Sequence, residues 1–127
     1  MERIDNFCIA STKHKRPIVT DLRYVKTSTK KPVVIFCHGY KGYKDWGAWN
    51  LAGQEFPKKG IFFVKFNFSH NGGTLKEPID FPDLQAFGEN NYTIELNDLY
   101  DVINWTITNN DYTDEIDTND ITQIGRA

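Results

Sequence analysis

The run Val33-Val34-Ile35-Phe36-Cys37, followed at once by His38-Gly39-Tyr40-Lys41-Gly42, constrains the fold more than any other segment of this chain. Because every position of the run is apolar, a strand built from it has no face to give to water. That is the situation of a central strand in a parallel sheet with helices on both sides. The polar segment Thr27-Ser28-Thr29-Lys30-Lys31-Pro32 reads as the loop that feeds it. At the other end the abrupt change to His-Gly leaves backbone N–H groups with no ladder partners. Such groups can point at a negatively charged oxygen that forms during acyl transfer.

The flanking segments extend this into an alternating pattern. Upstream, the apolar pieces Phe7-Cys8-Ile9-Ala10 and Ile18-Val19 through Tyr24-Val25 suggest an opening pair of antiparallel strands. Downstream, Asp45 is placed to cap a helix carrying Trp46, Trp49, Ala52 and Phe56 at three- and four-residue spacing and ending near Lys58-Lys59-Gly60. Ile61 to Phe68 is rich in β-branched and aromatic residues and reads as a second parallel strand. A long excursion from Ser69 to Asn91 holds Asn71-Gly72-Gly73, Pro78 and Pro82, with one short helical turn near Leu84 to Phe87. From Thr93, the residues Ile94, Leu96, Leu99, Val102, Ile103 and Ile107 form an apolar stripe, with Glu95, Asp98 and Asp101 largely off it. This predicts an amphipathic helix. An acidic connector from Asn109 to Asp120 precedes Ile121-Thr122-Gln123-Ile124-Gly125, the start of a third parallel strand. Strand, helix, strand, helix, strand is the order of a doubly wound α/β sheet. Right-handed crossovers place the loops after the first two of these strands at one sheet edge.

Composition narrows the function classes. A chain of 127 residues with 39% hydrophobic and 25% charged residues fits one globular domain. A net charge of -2 provides no electrostatic footprint for nucleic acid, and the short cluster Lys13-His14-Lys15-Arg16 reads as a solvated turn. No apolar run approaches the roughly 18 residues of a membrane span, and Met1 to Asn6 lacks the apolar centre of a secretory signal, so a cytoplasmic location is expected. Cys8 and Cys37 are too few for a disulfide framework. Cys37 and His38, as strand neighbours, point to opposite faces and do not suit a thiol–imidazole dyad. His14, His38 and His70 show no metal-ligand spacing, and the acids from Asp111 to Asp120 do not match a calcium loop. The glycines between His38 and Gly47 match no phosphate or dinucleotide fingerprint. Neither metal nor cofactor is expected.

Three segments together carry a resemblance: His38-Gly39-Tyr40-Lys41-Gly42-Tyr43-Lys44-Asp45-Trp46-Gly47, then Asn67-Phe68-Ser69-His70-Asn71-Gly72, then Glu95-Leu96-Asn97-Asp98-Leu99. From about Ile18 to Gly125 the chain resembles the N-terminal half of an α/β-hydrolase, close to the dienelactone hydrolase-like and acyl-peptidase-like members. The resemblance implies a mostly parallel, doubly wound sheet and a small-molecule ester or amide substrate. It also implies an oxyanion hole half-built from the backbone N–H of Tyr40, with Lys41 the second choice. His38, Gly39, Lys41, Ser69, His70 and Asn71 would line the site. The adjacent Ser69 and His70 do not suit a nucleophile and its base, because such partners come from separate loops; a turn or pocket-wall role is expected.

One departure matters. In that family the third strand runs into a G-x-S-x-G elbow, whose serine is the nucleophile. Gly125 matches the first glycine, but the chain continues Arg126-Ala127 with no serine, and no catalytic residue is assigned. Two readings result. The chain is one partial domain, residues 1–127, of a serine hydrolase truncated before its elbow and inactive alone, or it is a non-catalytic binding or assembly module on half a hydrolase fold. On the first reading the unfinished sheet exposes its last strand as an edge open to self-association.

Overall fold

The computed structural model describes residues 1–39, 42–74, 76, 82–109 and 111–125. Five strands form one sheet in the order β1 (Glu2–Ile9), β2 (Ile18–Tyr24), β4 (Phe62–Phe66), β3 (Lys31–Cys37), β5 (Ile116–Gly125). The helices are α1 (Trp49–Lys58), α2 (Leu84–Glu89) and α3 (Tyr92–Thr108). The sheet is mixed: β1 pairs antiparallel with β2, and β2 antiparallel with β4, while β3 runs parallel to both β4 and β5. The apolar run beginning at Val33 is therefore interior, with a parallel neighbour on either side.

Strand alternation divides the side chains between two layers. Leu22, Val64 and Ile35 are register partners across three strands, and with Phe62, Phe66, Cys37 and Ile116 they form the core beneath α3, which contributes Val102. Trp105 of α3 packs on Phe7 of β1, ring centroids 5.0 Å apart. The opposite face carries Asp21, Lys65 and Phe36, which also align across the strands. Here α1 packs, with Trp49 stacked on Phe36 at 3.8 Å and Phe56 against Phe63 at 5.2 Å.

The structure corrects four expectations about the elements. Asp45 caps no helix: α1 begins at Trp49 with Ala48 as its N-cap and no side-chain cap, and the Asp45 carboxylate is drawn instead into ion pairs with Lys44 and Lys65. Asp98 and Asp101, expected off the buried stripe of α3, are buried, because hydrogen-bond donors from two loops reach their carboxylates. Leu96, expected on the stripe, is exposed together with Tyr92 and Tyr100, one turn away on either side. The last strand also starts earlier than expected, at Ile116. Its register against β3 jumps from Ile116 opposite Lys31 to Ile121 opposite Val33, so residues 117–120, with Asp117 and Asp120, sit in the irregular stretch.

Candidate functional site

The C-terminal ends of β3 and β4 and the start of β2 meet at one sheet edge, and the loops there are stitched together by side chains. His38 directly follows β3 in a buried position. The Phe68 N–H donates to its Nε2 at 3.0 Å, which leaves Nδ1 to carry the ring proton and donate to the Gly39 carbonyl at 2.9 Å. Burial pushes the ring's pKa down to about 4, against the opposing pull of the Gly39 hydrogen bond. A neutral imidazole with both nitrogens engaged is a strut between two strand ends, not a proton carrier.

Past His38, the Gly42 N–H donates to the Gly39 carbonyl at 2.8 Å and closes a tight turn. A Cβ at Gly42 would lie 2.8 Å from that same oxygen and 3.2 Å from the Gly39 nitrogen, so only glycine fits. Tyr40, expected to offer the oxyanion-hole N–H, and Lys41, the second choice, lie outside the described residues. What is described is the frame on either side of them. Asn71 Nδ2 donates to the Gly42 carbonyl at 3.4 Å, and the Lys44 N–H donates to Asn67 Oδ1 at 2.7 Å, so the loop after β4 holds the loop after β3 from two points.

Beneath this frame lies a buried ion cluster. Lys44 and Lys65 are 1% and 0% exposed. Lys44 Nζ contacts Asp21 Oδ2 at 3.0 Å and Asp45 Oδ2 at 2.7 Å. Lys65 Nζ contacts the same two carboxylates at 3.1 and 2.7 Å and donates to Asn50 Oδ1 at 2.7 Å. The two lysines and two carboxylates share four contacts, and Arg23 Nη2 lies a further 3.9 Å from Asp21 Oδ2, so each buried charge is compensated. Burial pushes the Asp45 carboxyl up, but the hydrogen bonds and charges of both lysines outweigh it and hold the group below the ordinary carboxylate range. A central-strand lysine among aromatic residues was the sequence signal for this cluster, since such a lysine must find a carboxylate.

Ser69 and His70 occupy a second polar cluster. Ser69 Oγ donates to Asp98 Oδ2 at 2.7 Å, and the Ser69 N–H donates to the same oxygen at 2.7 Å. His14 Nε2 lies 3.1 Å from Asp98 Oδ1 and 3.0 Å from Ser69 Oγ, and His70 Nδ1 lies 2.8 Å from Ser69 Oγ. This is no catalytic triad. In a triad the histidine bridges serine and carboxylate through its two different nitrogens. Here His14 presents one nitrogen to both, and the serine proton goes directly to the carboxylate. The half-buried His14 and Arg16 also correct the reading of residues 13–16 as a solvated turn: Arg16 pairs with Asp83, the N-cap of α2. Cys37 is buried, and burial pushes its thiol up to about 11, which leaves it protonated. Among the described residues no group of three His, Cys, Asp or Glu side chains is placed to hold a metal ion.

The far wall is β5. Its last residue, Gly125, pairs with Cys37 in parallel register, and a Cβ at Gly125 would fall well inside contact distance of the Cys37 carbonyl oxygen. The end of β5 therefore lies directly beside the turn that starts at His38.

No family model matches the chain, and no curated protein matches it in sequence. Solved structures do match in fold. A dienelactone hydrolase from Anabaena variabilis superposes with a TM-score of 0.71 at 12% identity, over 99% of this chain and 52% of its own. An esterase from Pyrobaculum calidifontis gives 0.67 at 16% identity over 99% and 35%, and the esterase Est22 gives 0.68 at 17% over 98% and 34%. The chain thus spans between a third and a half of the length of these structures. Its architecture is that of the N-terminal half of the α/β-hydrolase fold.

Proposed function

We propose that this α/β-hydrolase half-fold is the N-terminal part of a serine hydrolase that attacks ester or amide bonds, and that alone it performs no hydrolysis. The observation that carries the reading is the parallel register of Cys37 with Gly125. It brings the obligate glycine at the end of β5 beside the His38-Gly39 turn, as an elbow glycine and an oxyanion-hole strand must be for one substrate carbonyl to meet both. In this role the backbone N–H of Tyr40 is one oxyanion-hole donor, and the loops holding His38, Gly39, Lys41, Ser69, His70 and Asn71 line the substrate site. A donor of this kind contributes roughly 3 to 4 kcal/mol to transition-state stabilisation. The nucleophile, acid and base lie outside these residues. The substrate is a small ester or amide, without nucleic-acid or membrane partner, in the cytoplasm. Among the described residues no helix is long and apolar enough to cross a membrane.

A second reading is favoured by one residue. Ala127 stands two positions past Gly125, where G-x-S-x-G has its serine. On that account the half-fold is a non-catalytic binding or assembly module. Reading the source DNA past codon 127 in all three frames separates the two. A serine elbow followed by an acid and a histidine supports the hydrolase; their absence in every frame supports the module. As a parallel check, the chain expressed alone should hydrolyse p-nitrophenyl esters no faster than background and should not react with a serine-directed phosphonate. Stoichiometric labelling of any serine would overturn the claim of inactivity.

A further inference from the structure

The cluster of His14, Ser69, His70 and Asp98 joins three segments: the loop between β1 and β2, the loop after β4, and helix α3. Its hydrogen-bond directions follow from valence. The Arg16 N–H donates to His14 Nδ1 at 3.1 Å, so the His14 proton is on Nε2 and faces Asp98 and Ser69. Ser69 has a single proton, and the 2.7 Å contact to Asp98 Oδ2 takes it. His70 Nδ1 must then carry a proton and donate to Ser69 Oγ. This assignment gives each of these contacts one donor and one acceptor. The two rings meet edge to face, with centroids 4.8 Å apart.

We propose that these four residues form a proton-operated latch, which holds the β1–β2 loop against the sheet edge at neutral pH and releases it on acidification. A second proton on His70 sets a positive charge beside the His14 ring and near Arg16. The carboxylates that face the cluster are already engaged. Asp98 accepts from Ser69 and His14, Asp101 of α3 accepts from the Thr12 N–H and hydroxyl, and Asp83 holds Arg16 and caps α2. Glu89 of α2 and Asp98 favour charged His70, but burial, His14 and Arg16 outweigh them and hold its pKa below the ordinary value. Protonation of His70 therefore acts against the closed loop. Because the released loop borders Ser69 to Asn71, the same event loosens the sheet edge that carries the candidate site. The latch does not depend on whether a nucleophile follows Gly125.

Residue-resolved hydrogen exchange on the 127-residue chain tests it, at about pH 7.5 and about pH 5.5 with intrinsic rates divided out. The amides of residues 12–16 and of Ser69 should lose about tenfold in protection at the lower pH, while those of Leu22 and Val64 hold. In the double variant His14→Gln/His70→Asn, whose side-chain amides can replace the donors without titrating, the loop should keep its protection at both values. Loop protection unchanged in the natural chain, or a drop that persists in the double variant, would overturn the latch. So would equal losses in loop and sheet, which would mean global acid unfolding. Should the double variant not fold, histidine ring titrations of the natural chain decide. Thr12 and Arg16 amide signals must move with His70, and their standing still would refute the proposal.

Discussion

His38 shows how a residue type associated with proton transfer can be tuned out of it. Its buried ring is held by one donor and one acceptor, both backbone groups, and its pKa falls from 6.5 to about 4. A base whose folded value is depressed contributes its full stability above the unfolded value and loses it as the pH falls toward the folded one. The window here runs from about 6.5 down to about 4, and the gap corresponds to about 3 kcal/mol. Denaturation midpoints followed across that window should fall less steeply in His38→Gln, which keeps an acceptor for the Phe68 N–H but cannot titrate. Parallel slopes in the two proteins would show that His38 does not carry the pH dependence. At the neighbouring turn the constraint is steric. The atoms met by a Cβ at Gly42 are two backbone atoms of Gly39 and the Cβ of His38, none of which can swing aside. Gly42→Ala should cost roughly 1 to 3 kcal/mol in chemical denaturation, the range for overpacking. A neutral result would mean that the turn has slack.

Between elements, the sequence was legible where one principle acted alone and obscure where two competed. The order of strands and helices could be read because hydrophobic periodicity fixes it locally: Val33 to Cys37, Ile61 to Phe68 and the stretch after Thr93 each declare a period. The start of α1 is not legible locally, because Asp45 satisfies the rule for a helix cap while Lys44 and Lys65 offer it stronger partners. On α3, the apolar periodicity puts Asp98 and Asp101 off the buried stripe, yet both are buried. Only the fold reveals that Ser69, His14 and Thr12 converge on them from far along the chain. The candidate site was legible as two loops at one edge and illegible as a network, since His14 and His70 show no spacing that signals their contact. The ion cluster gives a quantitative check at this scale. Lys65→Met leaves Lys44 shared between Asp21 and Asp45, with Arg23 3.9 Å from Asp21 as the remaining nearby cation, and should destabilise the fold by roughly 3 to 5 kcal/mol. Adding Asp21→Asn removes one of the carboxylates that Lys65 had neutralised, so the double variant should recover at least about 1 kcal/mol relative to additivity. Strict additivity in the cycle would mean that the two groups do not share their charge.

Across the whole molecule, the two edges of the sheet are built differently. The β1 edge is broken by a register shift between Ile4 and Phe7, with Asn6 at a φ of 53°, and it carries the Arg3–Asp5 ion pair. Bulges and charges of this kind discourage a further strand from pairing. The second half of β5 has no such device. Ile121-Thr122-Gln123-Ile124 contains no charge, proline or bulge, and Thr122 and Gln123 are exposed. An edge left open beside the candidate site suits a sheet that continues, in line with the proposed hydrolase half. In the isolated chain the same edge should pair with another copy. Sedimentation velocity should then show a concentration-dependent dimer, and Thr122→Lys, which puts a charge on the edge without touching the core, should weaken it by about tenfold or more. A chain that stays monomeric at every concentration, or a dimer indifferent to the lysine, would place any association elsewhere, with the exposed Tyr92, Leu96 and Tyr100 of α3 the next surface to examine.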